Sequence, residues 1–326
     1  MPSVIRLLVT VIPAVLLSPS PVGAQQSAAF PSKSIRMIVP FAAGGNADIL
    51  GRILAQKYSE AFGQQVIVDN RAGANGVIGS ELAAKSPPDG YTLLFVASGH
   101  AINPGMYAKL PFDPINDFAP VGLMSSTPLV LAITNALPAK SVKDLVALAR
   151  AKPGQMSYAS QGNGSPGHLA GALLNTTTGI NVQHIPYKAT AQALTDLISG
   201  EVQVMYPSLT SVLQHVRSGK LRALAITSRA RSLLAPELPT VIESGVRDYE
   251  AGIWNGVLAP AHTPPAVISR LNSTLVKIVQ SPDVRDRILA TGADPMPSTP
   301  EEFGAFIAAE IRKWTAIIKS SGAKMD

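Results

Sequence analysis

The sequence predicts a two-lobed α/β fold. A repeated order of strand, glycine-rich loop, helix and strand occurs in both halves of the chain. Strands alternating with helices favour right-handed βαβ units and parallel sheets. Two extended stretches, 118–134 and 249–260, contain no helical pattern between their ends. They predict two strands that cross between the lobes and form a hinge over a cleft.

The first 24 residues have the pattern of a cleavable secretory signal peptide. Arg6 is the only charge among them, an apolar run follows over 7–17, and small residues lead to Ala24. The run is shorter than the roughly 20 residues that span a bilayer. Cleavage after Ala29 stays open as an alternative. We therefore expect export across the inner membrane to the periplasm.

We place the first lobe at 25–125 and 251–326, so that its elements come from both ends of the mature chain. Apolar β-branched runs predict strands, 3.6-residue spacing predicts helices, and Gly63 predicts the end of the first helix. A capping box at Thr299 with Pro300 at the first helical position predicts the last helix, which runs to about residue 320. The earlier elements are strands at 35–40, 65–69 and 91–96 with helices at 46–62 and 77–85.

The second lobe is placed at 126–250 and repeats this order. Gly179 and Gly200 predict the ends of its helices because glycine readily adopts the left-handed conformation of a helix C-terminus. The elements are strands at 156–160, 182–187, 202–206 and 221–227 with helices at 168–178 and 189–199.

Composition narrows the chemistry. The chain has no cysteine, which excludes disulfides, thiolate metal sites and a cysteine nucleophile. Its five histidines show no metal-ligand spacing, and its net charge of +6 is scattered rather than gathered into a basic stripe. We therefore expect no metal, no cofactor, no nucleic-acid partner and no catalytic acid–base constellation.

A glycine-rich loop at 157–171 has two further interpretations. Gly162, Gly164 and Gly167 match G-x-G-x-x-G, the fingerprint of a dinucleotide-binding turn. That fingerprint needs an acidic residue about 20 positions later, and none occurs before Asp196. A hydrolase nucleophile at Ser165 would need glycine where Asn163 stands, and no aspartate is placed to orient His168. Both enzyme interpretations are therefore disfavoured.

The same loop is well suited to an anion. Ser165 and Pro166 predict a helix N-cap and first residue, and Gly44 and Gly45 precede another helix, for which Asn46 is the predicted cap. Free backbone N–H groups and the helix dipole attract negative charge at such ends. One loop per lobe, each following a strand, predicts two anion-binding loops that face each other across the cleft.

The combination of stretches resembles one family over nearly all of the mature chain. Six stretches are similar to the Bug-type receptors of tripartite tricarboxylate transporters. They are PSKSIRMIVPFAAGGNADILGRILA, VDNRAGANGVIGSELAAKSPPDGYTLLF, INPGMYAKLPFDPINDFAPVGL, YASQGNGSPGHLAG, HIPYKATAQALTDLISGEVQVM and LRALAITSRARSLLAPELPTVIESG. The resemblance implies a periplasmic binding protein fold, type II-like. It also implies a monomeric, non-catalytic receptor that passes a small carboxylate to a small and a large membrane subunit. A receptor that feeds a signalling partner is the alternative.

The resemblance also implies site residues. Some of them have an alternative structural role. Phe41 could belong to the core, Asp48 and His168 could each support its own loop, and Lys188 could be a solvated surface cation. Trp254 could pack near the hinge or line the cleft. The candidate ligand-binding residues are Phe41, Ala42, Gly44, Gly45, Asn46, Asp48, Ser98, Gly99, Asn103, Ser160, Gln161, Gly162, Asn163, Gly164, Ser165, His168, Tyr187 and Lys188.

Two departures from the family pattern bear on the ligand. Ala189 stands where members commonly have glycine, and Pro207 stands where many have an acidic residue that faces a ligand amino group. We therefore expect α-amino acids to bind poorly. Aliphatic di- or tricarboxylates or aromatic acids are the expected ligands.

Overall fold

The computed structural model describes residues 30–322, so the expected signal peptide lies outside the described residues. No helix within 30–322 is long and apolar enough to cross a membrane. The strands are β1 (Ile35–Val39), β2 (Val66–Asn70), β3 (Thr92–Ala97), β4 (Phe118–Pro128), β5 (Val130–Thr134), β6 (Ser157–Ser160), β7 (Gln183–Pro186), β8 (Val204–Met205), β9 (Leu221–Ile226), β10 (Gly252–Pro260) and β11 (Asp294–Pro295).

The helices surround two separate sheets. A short 3-10 turn at Ala74–Gly76 precedes the second helix. The helices are α1 (Asn46–Phe62), α2 (Val77–Ala84), α3 (Gly99–Met106), α4 (Val142–Ala151), α5 (Pro166–Thr178), α6 (Thr190–Ser199), α7 (Leu209–Arg217), α8 (Pro265–Gln280), α9 (Pro282–Ala290) and α10 (Pro300–Ser321).

Both sheets are mixed. The first has the order β11-β4-β10-β3-β1-β2, in which β2, β1 and β3 are parallel and β10, β4 and β11 continue antiparallel. The second has the order β7-β6-β8-β5-β9, with β7, β6 and β8 parallel. The parallel strands deliver their carboxyl ends, and the loops that follow them, to one edge of each sheet.

The chain passes between the sheets twice, at Leu129 between β4 and β5 and over residues 227–251 between β9 and β10. The two passages are joined, because Thr227 donates its N–H to the Leu129 carbonyl at 2.9 Å and its Oγ1 accepts the Leu129 N–H at 3.0 Å. The predicted two-sheet α/β architecture is confirmed. The predicted crossing strand 118–134 divides at Leu129 into β4 and β5, which lie in different sheets, whereas the predicted crossing strand 249–260 contributes β10 to the first sheet alone and the second passage is the segment 227–251. The lobe boundaries at 125/126 and 250/251 stay a prediction.

Two local predictions were wrong. Gly45, with extended backbone and no side-chain cap, is the N-cap of α1, and Asn46 is already the first helical residue. Ser98 and Gly99 do not end the third strand, since β3 stops at Ala97 and these residues begin α3. Pro104, the sixth of the eight residues of α3, hides this helix in the sequence, because proline beyond the first turn removes a hydrogen bond to the carbonyl four residues earlier.

A buried carboxylate fastens the hinge strand β10 to the C-terminal helix α10. Glu310 accepts the indole N–H of Trp254 at 3.2 Å and that of Trp314 at 2.8 Å, and it forms an ion pair with Lys313. Trp254 also meets Phe303 edge-on, with ring centroids 5.7 Å apart. The tryptophan of the hinge therefore packs on α10 and not in the cleft.

Candidate functional site

The cleft between the two sheets has two compartments. The first compartment has a volume of about 440 Å³ and the second about 760 Å³. Ile253 of β10 lines both of them. The first is lined by Phe41, Asn75, Ala97, Ser98, Gly99, Ile102, Met106, Asn163, Gly164, Ser165, Pro166 and Ile253. The second is lined by Asn46, Ile49, Arg52, Ile53, Thr127, Ser208, Thr210, Ile253, Arg287, Ala290 and Thr291.

The β1–α1 loop lies between the compartments, since Phe41 lines the first and Asn46 the second. Ala42, Gly44 and Gly45 between them are exposed and line neither compartment. Helix geometry leaves the first amides of α1 without an intrahelical acceptor. The loop therefore offers N–H donors in the middle of the cleft.

Asp48 braces this loop. One carboxylate oxygen accepts the Gly44 N–H at 2.9 Å and the Arg52 Nε at 2.9 Å, and the other accepts the Asn70 Nδ2 at 2.9 Å. Asn70 Nδ2 also donates to the Phe41 carbonyl at 3.1 Å. Burial acts to raise the pKa of Asp48, but these hydrogen bonds outweigh it and hold the pKa below its usual value. The ionised carboxylate thus fixes the loop from behind.

Asn103 supports a neighbouring loop rather than the cleft itself. It is 2% exposed, and its Oδ1 accepts Asn75 Nδ2 at 2.8 Å while its Nδ2 donates to the Asn75 carbonyl at 3.1 Å. Asn75 has a left-handed backbone with φ 51°, and it lines the first compartment. Asn103 therefore positions Asn75.

The second-lobe loop uses most of its own amides internally. Gly164 N–H donates to His168 Nδ1 at 3.0 Å, Gly162 N–H to Ser160 Oγ at 3.1 Å, and His168 N–H to the N-cap oxygen of Ser165 at 3.3 Å. The side chain of Gln161 lies against Gly167, because its Oε1 is 3.0 Å from the position that a Cβ would take at Gly167. The Asn163 side chain and the start of α5 are left to face the compartment, so the loop has fewer free amides than its glycines suggest.

Behind this loop His168 and His184 stack, with ring centroids 3.7 Å apart and planes at 5°. His184 Nε2 lies 2.6 Å from Ser160 Oγ. Because His168 Nδ1 accepts a hydrogen bond, its neutral ring carries the proton on Nε2. Burial lowers the pKa of His168 to about 4, and burial together with His168 lowers the pKa of His184 to about 4.

These histidines predict a loss of stability on mild acidification. Burial also lowers the pKa of His100 to about 4. The pKa of histidine is near 6.5 in the unfolded chain and about 4 for these three residues in the folded chain. Between these two pH values the unfolded chain binds protons that the folded chain does not, so the free energy of unfolding falls as the pH decreases. Above about pH 6.5 this contribution to stability is fully present. Urea unfolding at pH 7.0, 5.5 and 4.5 measures this slope.

The matched variant is His184→Asn, which should flatten the slope, whereas replacing the exposed His262 by Asn should leave it unchanged. Each buried histidine contributes at most about 1.4 kcal/mol per pH unit. Equal slopes in wild type and His184→Asn would contradict the assignment of the slope to the buried ring pair.

The remaining candidates lie away from both compartments. Tyr187 donates its hydroxyl to Asp196 Oδ2 at 2.8 Å, and Lys188 is exposed beyond the edge strand β7. Neither lines the cleft, and Trp254 is buried against α10 as described above. The neighbour of Trp254, Ile253, is the residue of β10 that faces the cleft.

Several lining residues were not predicted from sequence. Asn75 had a local signal, because its loop is glycine-rich and follows a strand as the other two loops do. Arg287, Ser208 and Thr210 had none, since they come from α9 and the start of α7 and meet the cleft only through the tertiary fold.

Comparison with known proteins decides the family. The family model described as Tripartite tricarboxylate transporter family receptor matches residues 50–323. The chain belongs to this receptor family. Family members are periplasmic receptors, not enzymes. The receptor is 39% identical over 298 residues to Protein BugT of Bordetella pertussis, covering 91% of each chain.

Two solved structures extend the likeness to the fold. The receptor is 35% identical to R. palustris Rpa4515 with adipate, with a TM-score of 0.71, covering 91% of this chain and 100% of that one. It is 28% identical to MatC of Rhodopseudomonas palustris with bound malate, with a TM-score of 0.67, covering 89% and 100%. The predicted family and the periplasmic binding protein fold are therefore confirmed.

Proposed function

We propose that this receptor captures a small carboxylate in the first compartment. The proposal is supported by the composition of that compartment: loops of both sheets meet there, and none of the side chains of the described part of the chain that line it is ionisable. A carboxylate is then held by amide and hydroxyl donors of Asn75, Ser98, Asn163 and Ser165 and by helix starts. Such charge-assisted bonds contribute about 1.5–3 kcal/mol each.

The ligand class is supported by the relatives. Adipate and malate, which occupy Rpa4515 and MatC, are both dicarboxylates. Within residues 30–322 no acidic side chain lines either compartment, so a ligand ammonium group has no carboxylate of this part of the chain to pair with. This favours di- and tricarboxylates or aromatic acids over α-amino acids, as the proline at 207 suggests.

The ligand bridges two bodies, which we place at 25–125 with 251–326 and at 126–250. The joined crossing segments at Leu129 and Thr227 allow these bodies to rotate about one short region, in the manner of hinge closure. We further propose that residues 1–24 direct export to the periplasm. There the receptor, as a monomer, delivers its ligand to the small and large membrane subunits of a tripartite transporter.

Gly164→Ala tests the site. A Cβ at Gly164 would lie 2.6 Å from Met106 Cε, so the end of the methionine side chain must shift and change the wall of the first compartment, which both residues line. We expect the affinity for a bound dicarboxylate to fall about tenfold. Isothermal titration of refolded mature protein with malate, adipate, terephthalate, aspartate and NAD measures this.

The matched control is Gly219→Ala. Its φ of 70° is close to the 71° of Gly164, but no atom of residues 30–322 lies within 4 Å of the position that its Cβ would take. It carries the same backbone strain and should keep wild-type affinity. Binding of aspartate or NAD with no response to malate, adipate or terephthalate, or full affinity in Gly164→Ala, would count against the proposal.

A further inference from the structure

The second compartment differs from the first in its charge. Two of its eleven lining residues are arginines and none is acidic. Its walls are otherwise largely apolar, formed by Ile49, Ile53, Ile253 and Ala290. Ile49, in the first turn of α1, is 44% exposed, which is unusual for isoleucine and leaves an apolar surface facing the cavity.

The two arginines are not equivalent. Arg52 is committed, since its Nε donates to Asp48 and its Nη2 donates to Asn70 Oδ1 at 3.0 Å. Arg287 donates from Nη1 and Nη2 to the neutral Oε1 of Gln56, at 3.2 and 3.3 Å. Among residues 30–322 no carboxylate lies within 4.0 Å of Arg287. Its guanidinium therefore places an uncompensated positive charge at the compartment.

The opposite wall comes from the other sheet. Ser208 is the N-cap of the nine-residue helix α7, and Thr210 lies in its first turn. Thr210 packs closely against Gly292, because a Cβ added at Gly292 would overlap with Thr210 Cγ2. The compartment is thus closed on one side by this contact and presents a helix start opposite Arg287.

The floor provides an independent sign of a polar occupant. Thr127 lines the compartment, is 3% exposed, and its Oγ1 has no hydrogen-bond partner within the described part of the chain. Ser125 Oγ and Asn255 Nδ2 share this property and are direct cross-strand neighbours on β4 and β10. Buried polar atoms left unpaired cost about 1–3 kcal/mol each, so such a cluster needs an explanation.

We propose that the second compartment binds the far end of a dicarboxylate with an apolar body, and that Arg287 is the residue that distinguishes dicarboxylates from monocarboxylates. This inference rests on the proposed function, in which the first carboxylate occupies the first compartment. The apolar walls hold the body of the ligand beside Ile253. The second carboxylate meets Arg287, the start of α7 and the hydroxyl of Thr127.

The test compares adipate with hexanoate, which has the same carbon chain and only one carboxylate. Titration calorimetry of the wild-type receptor should show adipate binding at least tenfold more tightly. In Arg287→Gln the affinity for adipate should fall about tenfold, equivalent to about 1.4 kcal/mol. The affinity for hexanoate should stay within twofold. Arg285→Gln is the control, because Arg285 is exposed on the same helix and lines neither compartment.

The outcomes separate this inference from the proposed function. If Gly164→Ala weakens both ligands while Arg287→Gln changes neither, the proposed function stands and the role of Arg287 is refuted. Equal weakening of adipate and hexanoate in Arg287→Gln also refutes it, since hexanoate has no group for the guanidinium. If the wild-type receptor binds no carboxylate at all, both proposals fall.

Discussion

Replacement of Glu310 by alanine should lower the free energy of unfolding by about 3–5 kcal/mol, the cost of breaking a buried ion pair by removing one partner. Glu310 is 5% exposed and accepts hydrogen bonds from the indoles of both Trp254 and Trp314. Alanine leaves the two indole N–H groups without their acceptor and removes the carboxylate partner of Lys313, whose ammonium keeps its hydrogen bond to the Glu250 carbonyl at 2.8 Å. Urea unfolding followed by tryptophan fluorescence reports on this cluster directly, because these are the only two tryptophans of the chain.

The control is Glu301→Ala, at an exposed position in the first turn of the same helix. Its effect should stay within about 0.5 kcal/mol, as for most surface substitutions. Glu310→Gln keeps the shape and one acceptor oxygen and should be intermediate. If the free energy of unfolding of Glu310→Ala lies within about 1 kcal/mol of the wild-type value, the cluster does not fasten β10 to α10.

Asp48→Ala should reduce both stability and ligand affinity. The variant leaves the Gly44 N–H without its acceptor and removes one of the acceptors of Arg52 and one of the acceptors of Asn70 Nδ2, at a cost of about 2–3 kcal/mol. The loop that they hold lies between the two compartments, so its donors lose their fixed directions. We expect dicarboxylate affinity to fall at least thirtyfold, equivalent to about 2 kcal/mol, in titration calorimetry below the unfolding temperature.

Asp144→Ala provides a matched control from the other sheet. Asp144 lies in the first turn of α4, and its Oδ2 accepts the N–H of Lys140, four residues earlier, as Asp48 does with Gly44. It lines neither compartment. Asp144→Ala should therefore lose stability and retain ligand affinity. If both variants lose affinity equally, the effect of Asp48 arises from general destabilisation and not from the loop.

Local sequence signals predicted well those helices that bury one apolar face against the rest of the protein. Helix α1 begins and ends where its apolar spacing and Gly63 indicate, and α10 has the predicted capping box at Thr299. Helix α3 escaped prediction because it is short and contains Pro104, so tertiary packing, not propensity, decides its conformation. The N-cap of α1 was misplaced by one residue because glycine is a weaker signal than asparagine.

The site was predictable only in part, for a different reason. The loops at Phe41 and Asn163 follow strands and have a glycine pattern, so their meeting follows from parallel-sheet topology. Whether a predicted residue faces the ligand or supports a neighbour depends on side-chain partners, as Asp48, Asn103 and His168 show. The position of Arg287 depends on how α9 packs against α1, which no local pattern encodes.

The absence of ionisable side chains from the first compartment has a consequence for protons. A carboxylate that enters it above about pH 6 is already ionised, since free carboxyl groups titrate near pH 4. The histidine behind the loop stays neutral there and the guanidinium of the second compartment stays charged, so no group at either end changes its protonation. Binding and release of the ligand by the receptor then involve no uptake or loss of protons. If the receptor delivers its ligand to membrane subunits as proposed, any coupling of transport to protons has to take place in those subunits and not in the receptor.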